Sequence, residues 1–347
     1  MPLQNVSPDR YQLFRGVTKD ELTKVAKDPK AKTLQFAEPL SDKEIELLQS
    51  IVFSNRPDIT LRVFGHYGHS CDLTFLQKIP SAKNIFVDCL QNATGIEVLT
   101  KFSTLDKLAI GIYNLDNFDF LNDISPNITE LSIEQTSSKK PSIEVIKRFT
   151  NLRYLYLEGQ QKGIDVINEL KNLEKIVLRS IATKDVSYLE GLYKLWSVDI
   201  KLGGIKQFDT LTKIQNLKYL ELWQIRALSD VHFISDIQPL QNLFIQSLKQ
   251  VTSIPQLDRL QNLKRISLEN LKSLTDLTSL EFVPNLQDFI YVLAENQEPE
   301  NLLPVLRNPS VKNVFCRFGS DNKNIHFDKL AKELGKSQYS YYEFKYD

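Results

Sequence analysis

The sequence predicts an α/β repeat solenoid, with short parallel strands stacked into one sheet and short helices or turns returning the chain behind it. Three observations predict it. Apolar residues recur in a registered frame along most of the chain. Each frame opens with the alternation of a short strand. And 347 residues exceed the roughly 250–300 at which a single hydrophobic core stops growing. The frame is plainest in three consecutive stretches, 217–239, 240–262 and 263–285, the last reading LKRISLENLKSLTDLTSLEFVPN. All three carry apolar residues at positions 1, 4, 6, 9, 12, 15, 18 and 21.

The frame extends both ways, with first positions at Asp58, Ala82, Leu105, Ile128, Leu152, Leu173, Leu195, Leu217, Leu240, Leu263, Leu286 and Val311. A looser copy begins near Ala31. An amphipathic helix would space its apolar residues i, i+3, i+4, i+7, whereas each unit here opens L-x-L. One unit cannot bury its apolar face alone, so neighbours must stack into a continuous core.

The units resemble leucine-rich repeats, whose pattern is L-x-x-L-x-L-x-x-N/C-x-L, and their lengths are similar to bacterial, internalin-like repeats. The resemblance covers roughly residues 31–338. It implies a curved parallel β-sheet on the concave side and short helices or turns on the convex side. One departure matters. The ninth position, Asn or Cys in the family, is Leu90, Tyr113, Thr136, Gln160, Ile181, Gly203, Ile225, Leu248 and Leu271. Without a buried Asn ladder the bend needs other partners for its backbone groups, which predicts more convex-side turns or helices and a less regular curve. Asn instead precedes the opening residue at Asn127, Asn151, Asn172, Asn216, Asn262 and Asn285. Because Asn tolerates left-handed backbone, these positions are expected to make the sharp return into the next strand.

The chain divides into an N-terminal helical cap with a first irregular repeat (1–57), the repeat array (58–310), and a last repeat with a C-terminal cap (311–347). Thr18-x-x-Glu21 and Ser41-x-x-Glu44 have the form of capping boxes. The first helix should stop before Pro29, and the second should present Ile45, Leu48 and Val52 on one face. Residues 327–335 read as a helix ended by Gly335, and YSYYEFKY (339–346) as a final strand with aromatic and charged positions interleaved.

Lys and Arg total 43, balanced by 43 Asp and Glu. That balance excludes a global polybasic character, so no nucleic-acid partner is expected. No apolar run is long enough to span a membrane, and no basic-then-apolar leader is visible. Three cysteines do not make a disulfide framework, which points to a cytoplasmic protein with reduced thiols. His66-x-x-His69-x-Cys71 is the one metal-like cluster; it shows no fourth ligand, so no metal site is assigned. No phosphate-binding glycine loop, nucleophile elbow or H-E-x-x-H motif is present. The chain is therefore expected to be non-enzymatic, without cofactor.

Period-two alternation sends positions 4 and 6 into the core and positions 3, 5 and 7 onto the concave face. The candidate partner-binding residues are read from that column: Tyr154 and Tyr156, then Lys175 and Arg179, Asp199 and Lys201, Tyr219, Glu221 and Trp223, Phe244, and Arg265 with Glu269. Tyr, Trp and Arg dominate interface hot spots, and the mixture of charge signs suits a protein or peptide partner, with a monomer favoured. Two alternatives stay open: a receptor for a small ligand, peptide or glycan on the aromatic stripe, and a bacterial effector or toxin-neutralising immunity protein. Farther along, Ile290, Val292 and Phe315 make the column apolar, either as a second contact area or as a face covered by the C-terminal cap.

Overall fold

The computed structural model describes residues 2–65, 70–89, 91–138 and 141–347. They fall into two compact units, Met1–Leu170 and Lys171–Asp347.

The first unit opens with an antiparallel hairpin, β1 (Leu3–Ser7) and β2 (Arg10–Leu13), which the repeat frame does not anticipate. The helix α1 (Lys19–Lys27) follows, capped by a complete capping box between Thr18 and Glu21. β3 (Thr33–Phe36) lies parallel to β2 and is the looser copy that begins at Ala31. The second capping box, Ser41 with Glu44, opens α2 (Asp42–Leu47), which continues as a π-helical segment through Phe53. Ile45, Leu48 and Val52 are all buried, as the helical spacing requires.

β4 (Thr60–Gly65), β6 (Asn84–Cys89), β8 (Lys107–Ile112), β9 (Glu130–Ile133) and β10 (Tyr154–Glu158) then pair in parallel. A separate two-stranded pair, β5 (Cys71–Asp72) with β7 (Ala93–Thr94), flanks them. One first position departs from the frame. Asp58 is exposed and ion-paired with Arg56 at 2.8 Å, and its neighbour Ile59 fills the core slot instead.

In the second unit, β11 (Lys175–Arg179), β12 (Ser197–Lys201), β13 (Tyr219–Trp223), β14 (Asn242–Gln246), β15 (Arg265–Glu269), β16 (Asp288–Val292), β17 (Asn313–Cys316) and β18 (Ser337–Gln338) run parallel in sequence order. Third positions stand side by side without a register shift: Lys175, Ser197, Tyr219, Asn242, Arg265, Asp288 and Asn313. The apolar frame is the core. In the 263–285 unit, every residue at positions 1, 4, 6, 9, 12, 15, 18 and 21 is at most 2% exposed.

The expected irregularity at the bend is not seen in this unit, and the reason is a backbone device. The eighth residue of six successive repeats adopts left-handed backbone: Ser180, Leu202, Gln224, Ser247, Asn270 and Leu293 have φ between 50° and 56°. Through Asn270, each of these N–H groups donates to the position-7 carbonyl of the next repeat, at 2.8–3.1 Å. This chain of backbone bonds gives the N–H group of each bend residue through Asn270 a partner. The Asn residues before the opening Leu do something else. None has positive φ; the amides of Asn216, Asn262 and Asn285 instead reach the preceding repeat, with Asn262 donating to Gln238 O at 3.2 Å and Asn285 to Gln261 O at 2.8 Å.

Short 3-10 turns return the chain behind the sheet, for example at Asp209–Lys213, His232–Asp236 and Thr278–Phe282. At the C-terminal side, α3 (Leu303–Arg307) packs on the Thr278–Phe282 turn and α4 (Asp321–Glu333) on β17 and β18. α4 begins six residues before the predicted Phe327 and ends as expected, with Gly335 at φ 73°. Residues 339–346 do not form the predicted strand. Pairing stops at Gln338, and the segment crosses the outer face of the sheet instead.

Candidate functional site

The strand alternation sets the outer face as the sequence predicts. On β10, in the first unit, Tyr154 and Tyr156 are half-buried between core residues, and the Tyr156 hydroxyl donates to Glu158 at 2.9 Å. The remaining candidates lie on β11–β15 in the second unit, in two rows with different surroundings.

The row at positions 5 and 7 is partly open. Lys201 stands between two carboxylates, with its Nζ 3.4 Å from Asp199 Oδ2 and 3.0 Å from Glu221 Oε1. Glu221 also accepts from the Tyr219 hydroxyl at 3.0 Å. Burial, with Glu221 nearby, pushes the Asp199 carboxyl up to about 6, against the pull of Lys201. Burial beside the same carboxylates raises the Tyr219 phenol, so it stays a neutral donor. Next to this cluster, the Trp223 ring carries the Arg179 guanidinium at 5.5 Å and the Lys201 ammonium at 6.0 Å. Both are within cation–π range. Phe244 is half-buried in register between Glu221 and Ser267. Glu269 accepts from Gln246 Nε2 at 2.8 Å.

The row at position 3 is open at Lys175 but closes toward Arg265 and Asp288, and there, as at the buried Glu221 of the other row, the expectation of a solvent-facing column needs correction. Arg265 is only 6% exposed and Asp288 only 1%. Arg265 Nε and Nη2 lie 3.1 and 3.0 Å from Asp288 Oδ2, and Asn313 donates to Asp288 Oδ1 at 2.9 Å. What covers them is the segment 339–347. Three of its rings surround the Arg265 guanidinium: Tyr339 at 5.2 Å, Tyr342 at 4.3 Å and Phe344 at 4.9 Å. The Tyr342 hydroxyl donates to Asp288. Trp196, a second-position residue absent from the predicted column, packs on Tyr346 at 4.8 Å and carries Lys175 Nζ on its ring at 4.5 Å. The signal that could have located this cover is in the segment itself. Aromatics at Tyr342, Phe344 and Tyr346 alternate with Glu343 and Lys345, the pattern of an extended chain with one buried side.

Among solved structures, the chain is similar to an internalin (InlF) of Listeria monocytogenes, at 17% identity and TM-score 0.56, covering 88% of this chain and 90% of that one. It is also similar to TLR13 in a complex with ssRNA13, at 15% identity and TM-score 0.54, covering 87% of this chain and 49% of that one. The fold is a leucine-rich-repeat solenoid. No family model matches the sequence, and no curated protein matches it.

Among the other chemistry-bearing groups of this leucine-rich-repeat chain, the thiols of Cys71 and Cys89 are hydrogen-bonded neighbours. Among the described residues, no group of three or more His, Cys, Asp or Glu is arranged to hold a metal ion. His66 and His69 of the predicted cluster lie outside the described residues. Cys71 is buried, as are Cys89 and Cys316, all as free thiols. Among the described residues, no helix is long and apolar enough to cross a membrane.

Proposed function

We propose that this chain is a non-enzymatic interaction module that binds a protein partner on the outer, concave face of residues 171–347. The observation that supports it is Trp223: a large ring left half-exposed on a rigid sheet, with two cations against it and a carboxylate–lysine cluster alongside. Aromatic and Arg anchors ringed by polar groups are the composition of interface hot spots. A preformed sheet loses little conformational entropy on docking, which removes one of the costs of association. The carboxylates support a structural reading over a catalytic one, because Asp199 and Glu221 are tied to Lys201, and Glu221 also to Tyr219.

The test is affinity capture with the wild-type chain and with Arg179→Ala/Trp223→Ala as baits, followed by a direct binding measurement on any protein retained. A partner whose Kd weakens at least about tenfold in the double variant, a loss of about 1.4 kcal/mol or more, supports the reading. A partner held equally by both overturns it.

A further inference from the structure

The third-position row already holds a ligand, supplied by the chain itself. From Gln338 the segment runs back across the starts of five strands. Tyr339 N–H donates to Val314 O at 2.9 Å, the last main-chain pair it makes. Tyr342 then reaches Asp288 on β16, and Phe344 covers Arg265 on β15. Tyr346 accepts from Asn242 Nδ2 at 3.2 Å on β14, and its ring lies against Tyr219 of β13 and Trp196 just before β12. Asp347 is also held: its side chain pairs with Lys264, its carbonyl accepts from Lys218, and its N–H donates to Gln241 at 3.1 Å.

The fit is one of spacing. In extended chain, residues two apart are separated by roughly 6.6–7 Å, so Tyr342 to Tyr346 spans about 13–14 Å. Parallel strands lie about 4.8 Å apart, so the same span crosses two to three repeats. The aromatics therefore advance along the row, Tyr342 spanning Asp288 and Arg265, Phe344 on Arg265 and Tyr346 on Asn242, Tyr219 and Trp196, while Glu343 and Lys345 stay exposed. Beyond Tyr339 the segment makes no main-chain-to-main-chain bond; side chains hold it, joined at Asp347 by a main-chain carbonyl and N–H that meet Lys218 and Gln241. A segment held this way is chosen by its sequence and can be exchanged for another of the same pattern.

We propose that this row is a peptide groove, and that residues 339–347 occupy it in place of an extended segment of a partner protein. That segment would carry aromatic residues at three alternate positions followed by an acidic residue. The proposal rests on the protein-binding reading of this face and adds the partner's chemistry and a control: the partner must displace the chain's own segment. Arg265, boxed by rings, selects the aromatics. Lys264 selects the acidic residue.

The probe is a fluorescein-labelled peptide of residues 337–347, titrated against the full chain and against the full-chain variant Phe344→Ala/Tyr346→Ala. A tethered segment acts at an effective concentration near millimolar, so it suppresses binding of a free competitor. The expected result is at least about tenfold tighter peptide binding by the variant. Adding Lys264→Glu to it should abolish the gain, and a peptide ending in Lys should restore it. A folded variant that binds no tighter than wild type overturns the proposal, as does equal binding of a peptide with its aromatics moved to consecutive positions.

Should the variant not fold, hydrogen exchange on the unaltered chain decides. An excess of peptide carrying Glu343→Ala, distinct in mass, should speed exchange at residues 339–347; unchanged exchange overturns the proposal. Concentration-dependent dimers of the wild-type chain that dissociate on adding peptide would make a second copy the occupant and overturn the partner assignment. The peptide assay reads the third-position row, whereas Arg179→Ala/Trp223→Ala reads the seventh, so the failure of one reading is distinguishable from the failure of the other.

Discussion

Two rows of the same sheet face, one at position 3 and one at position 7, come from the same strands, and the period of two treats them alike. Yet Arg265 and Asp288 are buried while Lys201, Trp223 and Glu269 stay half-open. The difference lies outside the repeats, in nine residues that follow them. Repetition therefore builds a uniform face, and a single non-repeated segment divides it into a row it covers around Arg265 and a row it leaves accessible.

The largest test of that division is charge removal in each row. Arg265→Ala strands the Asp288 carboxylate in a site that water does not reach, and breaking a buried pair costs about 3–5 kcal/mol. Glu269→Ala, in the open row, should cost no more than about 0.5 kcal/mol. Urea denaturation of both variants measures the contrast; equal losses would erase it.

The pH dependence sharpens it. Asp199 has a folded-state pKa raised to about 6 from 3.8. Below the lower value both states are protonated. As pH rises through the window, the unfolded chain gives up the proton while the folded chain holds it, so stability falls and then levels above about pH 6. The shift corresponds to a loss on the order of 2–3 kcal/mol. Asp199→Asn should remove this fall while leaving stability at pH 4 nearly unchanged, as thermal melts across pH 4–7 would show.

A smaller effect concerns the bend that both rows share. Leu293 is 49% exposed and sits at φ 52°, where a side chain costs about 1–2 kcal/mol. Leu293→Gly relieves that strain but loosens the unfolded chain, leaving a net gain of about 0.5–1 kcal/mol in urea midpoint analysis. Smallest is Asn285→Ala, which removes an exposed bond to Gln261 O and should cost about 0.5 kcal/mol.

The repeat frame and the inward–outward alternation were legible because both are local periodicities. The two capping boxes were legible for the same reason: a hydroxyl and a carboxylate three residues apart satisfy the same helix end. The bend was misassigned. Left-handed backbone was expected at the Asn before each unit, but it falls on the eighth residue, where Ser, Leu and Gln give no signal and only Gly159 and Asn270 hint at it. The hairpin at residues 3–13 and the cover on Arg265 were not legible for a different reason. Neither belongs to the repeat, and the cover joins residues more than seventy positions apart, so no local spacing records it. The alternation in 342–346 was visible as a pattern, but its destination was not.

The left-handed bend at every eighth residue makes the central units interchangeable cassettes. The stretches 217–239, 240–262 and 263–285 have equal length, the same register and the same backbone turn. Duplicating one of them would lengthen the sheet by a single strand without disturbing its neighbours. It would also shift every anchor of the covering segment by one step, parting Tyr342 from Asp288 or Tyr346 from Trp196. The number of repeats is thus free to drift in the core and is counted only by the segment that lies across them.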